Sequence, residues 1–150
     1  ESGSDEEEEM ELDNIWSSED FNGHITDKFK RNYPDSNDIY RDVIWPQIKK
    51  QIKASTQSVQ DKVENRPNSF EFYGYDFMVD DQLKVWLIEV NSSPSMESKG
   101  QPVLKSLVKS VLTDLAAVVV DYPNSRKADT GGFTLVHKAK NEVNRPKGSM

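Results

Sequence analysis

The stretch SFEFYGYDFMVDDQLKVWLIEVNSSPSM, residues 69–96, decides the fold. Ser69 to Val79 is crowded with aromatic and β-branched residues, the chemistry of a strand. Asp80 to Lys84 can turn, and Val85 to Val90 (VWLIEV) reads as a near-continuous buried strand. Asn91 to Ser95 (NSSPS) ends it. The pattern predicts an antiparallel hairpin. An even loop over Asp81 to Lys84 would set Asp80 opposite Val85, and counting back then places Asp76 opposite Glu89. Directly opposed residues share a sheet face, with Cβ atoms about 4.5–5.5 Å apart. Asn91, two residues beyond Glu89, points the same way. Two carboxylates and an amide oxygen therefore converge on one patch.

Opposed carboxylates repel unless something positive lies between them. Magnesium suits such a gap, because it takes oxygen ligands at about 2.0–2.1 Å and is commonly held by one or two carboxylates plus substrate phosphates. The same spacing also fits an ordinary hairpin whose acids face water. On the residues alone, both readings stand.

Working outward, the period changes from two to about four. Phe21, Ile25 and Phe29 mark a short helix over 18–30, with Ser17 as its cap and Asp20 reaching back. Residues 32–37 (NYPDSN) are turn chemistry. A longer helical pattern runs from Asp38 to Glu64 on Ile39, Val43, Ile44, Ile48, Ile52, Val59 and Val63. Pro46 interrupts it, so a kink or restart is expected there. Lys49, Lys50 and Lys53 lie off this stripe, as a solvated face would. Downstream, the apolar positions from Val103 to Val119 give an amphipathic helix ending near Tyr122 and Pro123. Phe133 to His137 is a last candidate strand. The expected class is α+β, a hairpin or small sheet covered by the 38–64 and 102–121 helices.

Of the 150 residues, 19 are Lys or Arg and 26 are Asp or Glu, a formal net charge of −7. Seven of those acids fall within residues 1–11 (ESGSDEEEEME), so the remaining 19 acids balance the 19 bases. The acidity belongs to one tail. Such a run cannot bury enough apolar surface to offset its ordering entropy. Residues 1–13 are read as a disordered acidic segment, 14–137 as the folded part, and 138–150 as a basic flexible tail.

With no cysteine, a disulfide framework and a thiolate metal site are excluded. No apolar run approaches the roughly 20 residues of a membrane span, and no basic–aromatic stripe points to nucleic acid. His24 and His137 have no ligand-spaced partner, and no serine sits in a nucleophile elbow. Gly131–Gly132 lacks the setting of a phosphate cradle. The chain opens at Glu1 rather than Met, which predicts a processed product or a fragment.

Residues 69–96 resemble the C-terminal signature of the tubulin–tyrosine-ligase-like family, F-E-x-[YF]-G-[FY]-D-x-[ML]-[IV]-D-x-x-[LF]-[KR]-x-W-L-[LI]-E-[VI]-N-x-x-P. Nearly every defined position is met over 28 residues. With NIWSSEDF upstream, the resemblance covers roughly residues 14–137. It implies an ATP-grasp fold, of which this would be the C-terminal part. It also implies an ATP-dependent ligase that joins amino acids to tubulin tails through an activated carboxylate. Asp76, Glu89 and Asn91 match the family's magnesium ligands at the ATP phosphates, so ATP and Mg²⁺ are the implied cofactors. Trp86 is expected in the core, Gly74 at a bulge or close approach, and Pro94 as a strand terminator.

DYPNSRKADTGGFTLVHKAK, residues 121–140, resembles the D-x-G-x-F-x-L segment closing the catalytic region of the glycine-adding members. Glycine is thus the expected co-substrate, with glutamate or tyrosine ligation as alternatives. Tubulin and microtubules are the implied partners, and cytoplasm, cytoskeleton and ciliary or flagellar axoneme the implied locations. The family's nucleotide lysines, K-F-D-x-R strand and H-L-T-N segment are absent from these 150 residues. The isolated chain is therefore expected to be inactive. A non-catalytic tubulin- or partner-binding module built on the same fold is the other class of function the resemblance leaves open.

Overall fold

A computed structural model describes residues 15–64, 66, 68–97 and 102–139. The expectations for 1–13, and for most of the basic tail, lie outside them. Helix α1 spans Ser18–Phe29. Ser17 stands at its N-cap, where its Oγ accepts the Asp20 amide at 3.0 Å and donates to the Asp20 carboxylate at 2.8 Å. The expected reciprocal cap is present, with Asp20 reaching the hydroxyl of Ser17. Asn22 ties this helix to the next, because its Oδ1 accepts the Tyr40 amide at 3.1 Å.

The long helix expected over 38–64 is shorter and not uniform. A π-helical turn, Tyr40–Ile44, leads into helix α2, Trp45–Ser58. Pro46 is the reason. Its ring would crowd the carbonyl four residues back, and it has no N–H to offer. The wider turn relieves this, and the Trp45 amide reaches back five residues to the Tyr40 carbonyl. The device recurs: the π turn Ala117–Asp121 precedes Tyr122–Pro123, with the Tyr122 amide on the Ala117 carbonyl. Helix α2 then stops at Ser58, leaving Val59 and Val63 exposed rather than on a buried stripe. Hydroxyls of Ser55, Thr56 and Ser58 bond carbonyls of the last turns, competing with helix continuation.

Strand β1 is Gly74–Val79 and β2 is Val85–Asn91, an antiparallel pair. Residues 69–73, read as part of the first strand, are irregular. Gly74 is already opposite Asn91, and nothing beyond Asn91 continues the partner. A Cβ on Gly74 would come 3.0 Å from the Pro94 Cβ, so glycine permits the proline to fold back on the hairpin's end. The loop closes with Val79 opposite Val85, not Asp80. Its turn is held by Asp80, whose Oδ1 accepts the amides of Gln82 and Lys84. Leu83 adopts a φ of 60° there, a left-handed conformation costing on the order of 1–2 kcal/mol for a residue with a Cβ. Burial of its side chain offsets that strain.

The buried core is Ile25, Ile39, Ile44, Ile48, Leu83 and Val85, flanked by Phe21, Phe29, Tyr33, Tyr40, Val43, Trp45, Ile52, Phe77 and Val79. It joins α1, the π turn, α2 and one face of the hairpin. The other face is open. Trp86 and Ile88 on it are exposed, as is Val90 at the end of the opposite face, which corrects both the reading of β2 as a buried strand and the placement of Trp86 in the core. Trp86 is instead 48% exposed, donates its indole N–H to Asp80 at 2.9 Å and lies 3.7 Å beneath the Lys84 ammonium.

Helix α3, Pro102–Ala116, runs through the second π turn into α4, Tyr122–Asn124. Among the described residues it contributes none to the core, so the expected cover from the 102–121 helix is not part of it. Its Asp114 instead accepts the Gly132 amide at 2.9 Å, while Gly131 turns at a φ of 57° beside that carboxylate. Phe133 to His137, the last expected strand, is irregular and has no strand partner among the described residues. The α+β class stands, on one hairpin and its helices.

Candidate metal centre

The three residues singled out on the hairpin are brought together. Asp76 is opposite Glu89, and Asn91 is opposite Gly74 two positions along each strand. The Asn91 amide nitrogen donates to Asp76 Oδ2 at 3.2 Å and to Glu89 Oε1 at 3.1 Å. The site lies on the open face. Tyr75 and Phe77, on either side of Asp76, are half-buried against the helical side, whereas Asp76, Glu89 and Asn91 are exposed.

The expected pairing is right, but the route to it differs. From Val79 opposite Val85, regular alternation would oppose Asp76 to Ile88 and turn Glu89 inward. The register instead slips by one between Asp76 and Phe77. Ile88 is the extra residue of a β-bulge, 57% exposed, and it rotates Glu89 onto the face that holds Asp76. A turn one residue longer than expected and a bulge of one residue cancel. Sequence alternation cannot show either feature singly.

Chemically, the patch holds two carboxylates and one amide. The Asn91 NH₂ group sits between the two acids and supplies the positive end of a dipole where a cation would supply a full charge. Turned about its last torsion, the same amide offers an oxygen. Hard oxygen donors of this kind fit magnesium, which needs few protein ligands when phosphates and water complete its shell. Among the described residues no three His, Cys, Asp or Glu side chains form a cluster, and the candidate set is the two acids with the Asn91 amide.

Asp80 anchors the turn end of the same face. The Trp86 indole N–H, followed by the Lys84 and Gln82 amides, holds its carboxyl below the usual carboxylate range. It acts as a turn clamp. His24 meets the Trp16 ring edge-on at 5.1 Å, and the His137 Nε2 is buried without a hydrogen-bond partner; neither lies with the three donors. Lys50 and Lys53 are exposed as expected, and the Lys49 ammonium rests 5.7 Å from the Trp45 ring centre.

Two residues that the sequence did not mark stand behind the site. Gln47 and Gln51 of α2 hydrogen-bond the backbone of Leu83 in the turn and of Val85 and Leu87 along the outer edge of β2. Their four-residue spacing beside Ile44, Ile48 and Ile52 was the only available signal.

A family model described as the Tubulin-tyrosine ligase family matches residues 3–128. Tubulin glycylase 3C of Tetrahymena thermophila is 46% identical over 143 residues, covering 91% of this chain and 13% of that protein. Tubulin monoglycylase TTLL3 of Homo sapiens is 36% identical over 126 residues, 84% of this chain and 15% of that protein. Protein monoglycylase TTLL8 of Mus musculus is 36% identical over 123 residues, 82% of this chain and 14% of that protein. The chain thus spans only 13–15% of the length of these curated relatives.

Proposed function

The chain belongs to the tubulin-tyrosine ligase family, and from that premise we propose that it is the metal-binding portion of an ATP-dependent ligase that adds glycine to tubulin. The observation that carries this reading is the convergence of Asp76, Glu89 and Asn91 on one open sheet face. Similarity to proteins named as glycylases supports the choice of glycine and of tubulin. On this reading the surrounding fold is ATP-grasp, and the protein works at the cytoskeleton, including the axoneme.

Asp76 and Glu89 are the charged donors for Mg²⁺, and Asn91 is the neutral third. Bound there, the ion would supply charge neutralisation at nucleotide phosphates. The chain's own contribution is positional. The hairpin holds the two acids at one pairing level, Asn91 keeps them together without metal, and the Asp80 clamp fixes the turn. None of the three moves a proton. The opposite, helical face of the hairpin is filled by the core, which leaves the open face for nucleotide. The residues that would hold the nucleotide's base and phosphates directly are not among these 150, so this portion alone is proposed to be inactive.

The experiment is transfer of labelled glycine or glutamate from solution to tubulin with MgATP. It would use a polypeptide that carries this chain together with upstream ligase sequence, and its Glu89→Gln variant. Glycine transfer that is lost in the variant is expected. Glutamate transfer would move the chain to the glutamate-adding branch. Tubulin binding with no transfer of any amino acid, unchanged by Glu89→Gln, would favour a non-catalytic binding module and refute the proposal.

A further inference from the structure

The two edges of the hairpin differ. Along β2, Gln47 donates to the Leu83 carbonyl at 2.8 Å and accepts the Val85 amide at 3.2 Å. Gln51 donates to the Val85 carbonyl at 2.6 Å and accepts the Leu87 amide at 2.8 Å. Side-chain amides from α2 thus occupy backbone groups that a neighbouring strand would use. The spacing allows it, because four helical residues advance about 6 Å and two strand residues about 6.6 Å. This edge is closed.

The same bonds fix which groups point out of β1. A residue whose N–H and C=O both face away from the partner strand belongs to a non-hydrogen-bonded pair, and the residue opposite faces away likewise. Val85 is such a residue, opposite Val79; Leu87 also turns its N–H outward, opposite Phe77. The N–H and C=O groups of Phe77 and Val79 therefore line the outer edge of β1. Among the described residues none of these four groups has a hydrogen-bond partner, and the sheet has no third strand. The strand, GYDFMV, also lacks the usual guards of an edge: it holds no proline and no lysine, and the bulge residue lies on β2. On the core side, Tyr75, Phe77 and Val79 keep part of their surface in solvent, whereas Val85 is 3% exposed.

We propose that β1 takes up a further strand along this edge, so that the sheet grows from β1 and not from β2, and that the strand comes from ligase sequence outside these 150 residues. It is an extended segment with apolar side chains at alternate positions, which continue the layer of Tyr75, Phe77 and Val79. Its source rests on the reading of the chain as part of a ligase, and on relatives in which the matched region is only 13–15% of the length. A second copy of this chain fits less well. Antiparallel pairing of β1 with itself through Phe77 or Tyr75 would set the two Asp76 carboxylates opposite or diagonal to each other, beside both Glu89 side chains, and like charges there repel.

The test is amide hydrogen exchange, read residue by residue, on the 150-residue chain and on a polypeptide that carries it together with upstream ligase sequence. In the 150-residue chain, Phe77 and Val79 should exchange at least about tenfold faster than Met78, which pairs with Trp86, and than Val85 and Leu87. In the longer polypeptide their exchange should slow at least roughly hundredfold, with Val85 and Leu87 unchanged. Gln51→Leu in the 150-residue chain should speed Leu87 about tenfold and leave Met78 as it was. Phe77 and Val79 amides that stay fast in the longer polypeptide would overturn the proposal. So would slowing in the 150-residue chain that grows with its concentration, because a second copy would then be the occupant. A Leu87 amide unaffected by Gln51→Leu would overturn the closure of β2. Exchange reports pairing whether or not glycine is transferred. Protection without transfer upholds the edge and refutes the ligase reading; transfer without protection does the reverse.

Discussion

Deleting Ile88 should leave the candidate site intact, although it removes a residue from the strand that carries it. In the native pairing Phe77 faces Leu87 and Asp76 faces Glu89, with Ile88 the unpaired extra. Its removal lets the ladder run on regularly with the same partners, so Glu89 and Asn91 stay on the face of Asp76. Ile88 is 57% exposed. Less than half of the roughly 1.5–3 kcal/mol available from burying such a side chain is therefore at stake, about 1 kcal/mol. One regular ladder bond regained offsets that by about 0.5–1.5 kcal/mol. The net change is expected within about 1 kcal/mol of zero.

Deleting Phe77 is the matched control. It takes one residue from the strand without the bulge, removes a side chain at the core and turns Asp76 toward α2. Loss of the aromatic alone costs about 3 kcal/mol or more, before the carboxylate meets an apolar surface. Urea unfolding of both variants, read as a midpoint shift at constant slope, separates the two cases. An Ile88 deletion as destabilising as the Phe77 deletion would refute the bulge account.

Ile44 is fully buried at the junction of the π turn and α2, so Ile44→Ala should cost about 2–5 kcal/mol in chemical unfolding. A change below about 1 kcal/mol would place the core elsewhere. Asp76→Asn should leave stability unchanged or raise it by roughly a few tenths of a kcal/mol, by relieving repulsion with Glu89. A large thermal loss would make that acid structural. The folded Asp80 pKa lies below its unfolded value, chiefly through the Trp86 hydrogen bond. Its contribution to the turn is thus complete above the ordinary carboxylate range and disappears as pH falls through the folded pKa. The Trp86 indole N–H resonance should move in that acid window in the wild type and not in Asp80→Asn; an identical step in both would remove Asp80 from the explanation.

The hairpin was legible because its signals are local: β-branched and aromatic density, a turn with Asp80, and a break at Pro94. The pairing of Asp76 with Glu89 was legible too, but through two cancelling irregularities. What the sequence hid depends on which surfaces face each other. Trp86 and Ile88 have the composition of a buried strand, yet among the described residues only one face of β2 is covered. Val59 and Val63 continue the apolar period of α2, but hydroxyls at Ser55, Thr56 and Ser58 end the helix before them. Gln47 and Gln51 look like ordinary polar helix residues until β2 lies beside them. Residues 133–137 have strand chemistry, and among the described residues no strand is placed to pair with them.

Whether Asp76, Glu89 and Asn91 hold a divalent cation is the central question. The most direct measurement is a Mn²⁺ titration of the 150-residue chain, followed by paramagnetic broadening of its amide resonances, beside Glu89→Gln. Two carboxylates without phosphate should bind weakly, with a Kd on the order of millimolar. Broadening is expected to begin at residues 75–76 and 89–91, and to be abolished by Glu89→Gln with the fold unchanged. Broadening that starts elsewhere, or that the variant does not alter, would contradict the assignment of these three residues as a metal centre.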